Sequence, residues 1–308
     1  MIKLPFIRRM LERKSRARNR ALRQISPGIP PCLCVDVGAS YYPPSAWSTF
    51  LSSPNTCLVA VEPNTKNLKY LNNWKYPAKV EVCGTGLSGK GDPRTLYVTS
   101  TDSGSSLNPP VLHPSLAHRG IDHGYFFPLK EKLVKTETLE NVLASHAKDL
   151  PVVIKLDTQG TELEILHGGI KRLQDHQVVG VEMEAPLLAT PVMKGSGRFW
   201  EANRDLESWG YELLEIKPYS CGSIYKTSNQ IGKRTAWECD AVFALRRDVA
   251  QDLPETFRRM LVFFYIAYEF YEEALSFLEQ DSQVSESLTD LIKTSPIDVL
   301  KKTLELQE

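Results

Sequence analysis

The chain has 308 residues, enough for one large α/β domain with appendages or for two small domains. Its 42% hydrophobic and 24% charged residues exclude a disordered or collagen-like chain. The net charge is zero, yet residues 1–25 hold nine of the 37 Lys/Arg and only Glu12 of the 37 Asp/Glu, leaving an acidic body that argues against a nucleic-acid enzyme.

In the basic arm, Leu4, Ile7 and Leu11 follow helical spacing, which predicts a helix docked by its apolar side. The same arm is suited to touching anionic membrane or nucleic-acid phosphates. It lacks the unbroken apolar segment and small-residue cleavage site of a secretory signal. A cytoplasmic protein is expected, with peripheral membrane attachment as the alternative. Six cysteines (Cys32, Cys34, Cys57, Cys83, Cys221, Cys239) show no CxxC pairing, so neither a metal site nor disulfides are expected.

After the linker "SPGIPP" (residues 26–31), strand-like runs alternate with helix-like stretches. In chain order the predicted strands are "CLCVDVG" from residue 32, "CLVAVEP" from 57, "VEVCGTGL" from 80, "PVVIKLD" from 151, "VVGVEME" from 178, "YELLEIK" from 211 and "AWECDAVFALR" from 236. Runs apolar on both faces predict buried parallel strands. The last two are expected to pair at the sheet edge. Between the strands, "TKNLKYLNNW", "TETLENVLASH", "TELEILHGGIKRLQDH" and "RFWEANRDLESWG" carry apolar residues at three- and four-residue steps. The alternation predicts a doubly wound α/β sheet. Beyond Leu253, the residues Phe257, Leu261, Phe264, Tyr268, Tyr271, Leu275 and Leu278 form an a/d stripe. One helix is predicted there, packed on the domain or on its twin in a homodimer. Its apolar run "LVFFYIAY" is too short to cross a bilayer, which takes about 20 residues, so no transmembrane segment is expected. Three parts result: an arm and linker at 1–30, a main domain at 31–247 and a helical extension at 248–308.

In such a sheet, ligands sit outside the carboxyl ends of the strands. The residues there are Asp36 and Gly38, Glu62, Gly84 to Leu87, Asp157 to Gly160, and Glu182 to Glu184. Acids dominate. A dinucleotide turn of GxGxxG type needs glycines and free N–H groups around its pyrophosphate. Here the turn reads Gly38-Ala39-Ser40-Tyr41-Tyr42-Pro43, with two glycines missing and prolines following. S-adenosylmethionine, with a sulfonium, an ammonium and two free ribose hydroxyls, fits better. Asp36 suits its charged end, Gly38 permits close backbone approach, Ser40 can donate and accept hydrogen bonds, and Glu62 suits the ribose. Gly86 and Leu87, after the third strand, complete the candidate cofactor set.

The stretches "VDVGAS", "VAVEPN", "VKTETLENVL", "VVIKLDTQGTELEILHGG" and "VVGVEMEA" resemble, in order and spacing, the FkbM-type methyltransferase family over most of residues 31–247. The resemblance implies a Rossmann-like class I methyltransferase sheet, S-adenosylmethionine as cofactor, and O-methylation of hydroxyls on sugars, glycolipids and polyketides. It also marks Asp157, Gly160 and Glu162 as the family's central block. The sequence departs from the family pattern at Ser40, Tyr42 and Gln159.

Methyl transfer to oxygen needs an aligned acceptor and a base. Asp157 is the first candidate for positioning the acceptor or taking its proton. His113, His118 and His123 lie where a lid would form, and His123 joins Asp157 as a catalytic candidate. "GSSLNPP", residues 104–110, begins the same segment and is placed to close over adenine. Its Asn-Pro-Pro precedes the fourth strand and lacks a following aromatic, so it is not the base-methylating motif it resembles. The expectation is an O-methyltransferase acting on a small-molecule or glycan acceptor. A catalytically inactive cofactor-binding module of the same fold is the alternative, and an RNA methyltransferase using the arm a further one.

Overall fold

A computed structural model describes residues 25–114, 116, 121, 123–220 and 235–305. The expected N-terminal helix, His118 and Cys221 lie outside the described residues. The strands are β1 (Cys32–Val37), β2 (Thr56–Val61), β3 (Lys79–Cys83), β4 (Gly86–Leu87), β5 (Arg94–Thr99), β6 (Pro128–Val134), β7 (Thr136–Glu137), β8 (Val152–Leu156), β9 (Val178–Pro186), β10 (Tyr211–Ser220) and β11 (Ala236–Leu245). Seven form one mixed sheet in the order β3-β2-β1-β8-β9-β11-β10. All but β11 run parallel, and β11 is antiparallel to both neighbours. β1 is buried along its whole length, as its two-sided apolar pattern requires. Strand order reverses between β1 and β8, the place where such sheets bind ligands.

The helices are α1 (Ser48–Leu51), α2 (Thr65–Leu71), α3 (Leu139–His146), α4 (Glu162–His167), α5 (Ile170–Gln174), α6 (Phe199–Ser208), α7 (Arg247–Ala250), α8 (Glu255–Ala267), α9 (Tyr271–Gln280), α10 (Ser282–Ile292) and α11 (Pro296–Glu305). Side-chain caps start several of them: Asn64 accepts from the Lys66 N–H at 3.2 Å ahead of α2, Thr138 from the Asn141 N–H at 3.2 Å ahead of α3, and Asp281 from the Val284 N–H at 3.1 Å ahead of α10.

Four elements differ from the sequence reading. "TELEILHGGIKRLQDH" forms two helices, α4 and α5, because Gly168 and Gly169 interrupt it. The a/d stripe spans α8 and α9 rather than one helix, since Glu269 turns the chain with φ of 66°. "VEVCGTGL" ends its strand at Cys83, and Gly86–Leu87 leaves the main sheet to pair with β7. The antiparallel ribbon β5–β6 was not foreseen, because "PLKEKLV" is charged at its centre and lacks the apolar run of a buried strand. The linker also contributes to the core, as Ile29 within it and Ile25 just before it are 1% exposed.

That core is continuous from Ile25 to Leu300 and takes in the C-terminal helices. In α8, every residue from Met260 to Ala267 is buried. A Cβ added at Gly180 of β9 would lie 2.3 Å from the Phe264 ring, so helix and sheet are in direct contact. The part of the stripe around Phe264 is therefore seated on the chain's own sheet, while the part on α9 packs among the C-terminal helices.

Candidate active site

A cleft of about 490 Å³, counting the space open to solvent, is lined by residues at the carboxyl ends of β1, β2 and β8. Six of the eight predicted site residues line it: Gly38, Ser40, Glu62, Gly86, Leu87 and Asp157. The "GSSLNPP" segment adds Ser105, Ser106 and Leu107. Local bonds hold it there. The Ser106 hydroxyl donates to the Gln159 carbonyl at 2.8 Å, and the Asn108 amide donates to the Gly160 carbonyl at 2.9 Å. The charged residues lining the cleft are Glu62, Asp102 and Asp157, all acids.

The first turn is shaped by one glycine. Gly38 has φ of 79°, and a Cβ there would lie 1.9 Å from the Asp157 carbonyl oxygen, so only hydrogen fits where β1 and β8 converge. Two residues on, the Ser40 N–H donates to Glu62 at 3.0 Å. Glu62 also accepts from the Asn64 N–H at 2.7 Å and the Asn67 amide at 3.3 Å. A carboxylate offers about four acceptor positions, so one remains. Burial pushes the Glu62 carboxyl up, and these bonds oppose it. The Ser40 hydroxyl is buried without a partner.

The bulky stretch after this turn leaves the cleft clear. Tyr41 donates to Asp102 at 3.4 Å and stacks edge-on against Tyr70 at 5.4 Å, while Tyr42 is 83% exposed. Trp47 then enters the core, its indole N–H donating to the Tyr268 hydroxyl at 2.9 Å.

Asp36 is fully buried, is not among the lining residues, and neither of its carboxylate oxygens has a hydrogen bond. Burial pushes its carboxyl up to about 7, although the Lys155 ammonium lies 3.7 Å away. Burial also works against the Lys155 charge, but the neighbouring carboxylates of Asp157 and Asp36 outweigh it and hold the lysine protonated. Lys155 donates to Asp157 at 3.0 Å, and its charge holds that carboxyl below the usual range against the effect of burial. The sequence reading missed Lys155. Its signal was a lone charge inside the apolar run "VVIKL".

Register places a polar platform beside the cleft. Asp36, Lys155 and Glu182 are lateral neighbours on β1, β8 and β9, and therefore share one sheet face. One row further on, Glu184 of β9 pairs with Asp240 of β11, which pairs with Lys217 of β10. The Gln159 amide donates to Asp157 at 3.3 Å and also to Glu184. A glutamate at 159 would repel both carboxylates, whereas the amide joins them. Burial, then Asp157 and Glu238, raises the Glu184 carboxyl well above its usual range. On the first row, Glu182 accepts from the Tyr268 hydroxyl at 2.7 Å. Tyr268 was read only as a stripe residue, with nothing in the sequence to tie it to the site.

Glu162 is structural in geometry: it accepts from the Thr158 N–H at 2.7 Å and the Gly160 N–H at 2.9 Å, fixing the turn that presents Asp157. His123 does not line the cleft, and its Nε2 is buried without a partner. Among the described residues no cluster of His, Cys, Asp or Glu is arranged to hold a metal ion.

A mostly parallel sheet with a glycine-forced turn and an acidic cleft at the switch in strand order defines an α/β protein with its cleft where such sheets hold small ligands. Residues 36–213, more than half the chain, match the Methyltransferase FkbM domain. The protein belongs to this methyltransferase family, and membership implies a methyl-donor cofactor. Comparison with curated proteins finds no match.

Proposed function

We propose that the protein is an S-adenosylmethionine-dependent O-methyltransferase whose acceptor is a hydroxyl of a carbohydrate, glycolipid or natural product. One observation carries this reading: the acidic cleft and the carboxylate platform meet at Asp157. A cleft whose charged lining is wholly acidic suits a cationic cofactor and disfavours a pyrophosphate. The unpartnered Ser40 hydroxyl and the free acceptor position of Glu62 are the groups available to it, with Leu87 and Leu107 as apolar wall. Gly38 allows the backbone to approach, and Asp36 adds a buried carboxylate behind the turn.

When bound, S-adenosylmethionine supplies an electrophilic methyl group on a positively charged sulfur. On the acceptor side, Asp157 is held ionised by Lys155, which makes it a weak base but a strong hydrogen-bond acceptor for orienting a hydroxyl. Glu184, joined to Asp157 through Gln159, is the second carboxyl of this pair and the candidate to exchange a proton with the acceptor. The remaining platform carboxylates suit the hydroxyls of a sugar-like acceptor.

Calorimetric titration with S-adenosylmethionine tests the cofactor half: Glu62→Ala should weaken binding at least tenfold, about 1.4 kcal/mol. Undiminished binding removes Glu62 from the site. A radiolabelled methyl-transfer screen over glycans, lipids and RNA tests the acceptor half. Cofactor binding with no transfer to any of them would favour an inactive binding module.

A further inference from the structure

We propose that Gln159 is a positioning residue that clamps Asp157 and Glu184 into a pair sharing one proton, with the proton on Glu184 and the charge on Asp157. Calling this pair the acceptor's partner rests on the methyl-transfer reading; the placement of its proton does not. Three contacts fix Gln159. Its side-chain amide has two hydrogens and gives one to Asp157 at 3.3 Å and the other to Glu184. Its backbone carbonyl accepts from the Ser106 hydroxyl at 2.8 Å, and Ser106 lines the cleft. One residue thus ties the carboxyl pair to the cleft wall. The backbone is a further mark of a built position: φ is 59°, in the left-handed region where glycine or asparagine is the ordinary occupant. Glutamine holds that conformation here because its longer side chain spans both carboxyls.

The charges around the pair decide where the proton sits. Asp157 and Glu184 also hydrogen-bond to each other, and two carboxyls in contact hold a proton between them. Lys155 stands at 3.0 Å on the Asp157 side. The charged groups acting most strongly on Glu184 are Asp157, Glu238, Glu162 and Asp240, all acids. The ammonium therefore keeps the charge on Asp157, and the surrounding acids keep the proton on Glu184. An amide at 159 preserves this arrangement because it neither takes nor releases a proton. A carboxyl there would add a third titrating group and leave the proton free to move among three sites. Asp157 also lines the cleft, so an incoming hydroxyl meets the charged member of the pair.

Carboxyl titration of the full chain by NMR, with carbon-13 in the Asp and Glu side chains, tests the clamp without any acceptor. In the parent, Asp157 should titrate below the usual carboxylate range and Glu184 above it. Gln159→Met keeps the length and removes both donors, so Asp157 should titrate higher than in the parent. Gln159→Glu should raise it further. The swap of Gln159→Glu with Glu184→Gln, which again sets one amide between two carboxyls, should bring it back toward the parent. Circular dichroism and S-adenosylmethionine affinity should stay at parent values, since Gln159 does not line the cleft. If Gln159→Glu does not fold, Gln159→Met decides. With an acceptor from the radiolabel screen, Gln159→Met should lower kcat at least about tenfold and move the acid limb of kcat/KM to higher pH. Three results overturn the proposal: an Asp157 titration that Gln159→Met leaves where it was, a swap that brings back nothing, or a parent in which Glu184 titrates as an ordinary glutamate. A screen that yields no acceptor would count against methyl transfer alone, and unmoved titrations would count against the clamp alone.

Discussion

Asp36 stands far from its ordinary state: no part of it meets solvent, and its carboxyl is pushed up to about 7. An unfolded chain ionises this group at its usual pKa near 4, so stability falls as pH rises from about 4 to about 7 and is level above that. Asp36→Asn should flatten this slope and raise stability at pH 8, on the order of 2 kcal/mol after allowing for the carboxylate neighbour Lys155 loses, measured by urea denaturation at both pH extremes. Gly38→Ala should cost about 3 kcal/mol or more, because the added Cβ meets the Asp157 carbonyl in a left-handed backbone; a thermal shift under one degree would refute that. Both residues were legible in sequence because strand-terminal acids and glycines stand out against apolar runs. Lys155 and Gln159 were not read as partners, since their effect depends on which carboxylates the sheet brings beside them.

At the scale of elements, Tyr268 joins the end of α8 to both the sheet and the first-turn region, through Glu182 and Trp47. Tyr268→Phe keeps the ring but leaves a buried carboxylate and an indole N–H without their partner. It should cost about 1–3 kcal/mol in chemical denaturation and push the Glu182 carboxyl further up. The seven strands of the main sheet were all visible in the sequence, since long β-branched runs have few alternative structures. Helix boundaries were less so. A double glycine and one left-handed glutamate broke two helices that periodicity alone would have continued. The ribbon β5–β6 escaped because a two-stranded element with solvent on its charged face carries no buried run to detect.

For the whole molecule, the C-terminal helices lie beyond the stretch that matches the family, yet they share its core. A chain ending at residue 246 would uncover sheet and helix surfaces that Met260 to Ala267 now bury. It should aggregate or lose its cooperative transition, as judged by size-exclusion chromatography and circular dichroism. The start of the extension at residue 248 is drawn from a change from strand to helix periodicity, which says nothing about whether two stretches bury each other. Trp47 makes that burial observable. Its indole is wholly shielded and hydrogen-bonded to a tyrosine contributed from 221 positions away, so in a variant with the other four tryptophans replaced by phenylalanine its fluorescence should be blue-shifted while α8 is seated and move to the red when the helix lifts. The same contact that closes the core thus serves as an optical reporter of it, readable on the timescale of a mixing experiment and without any added label.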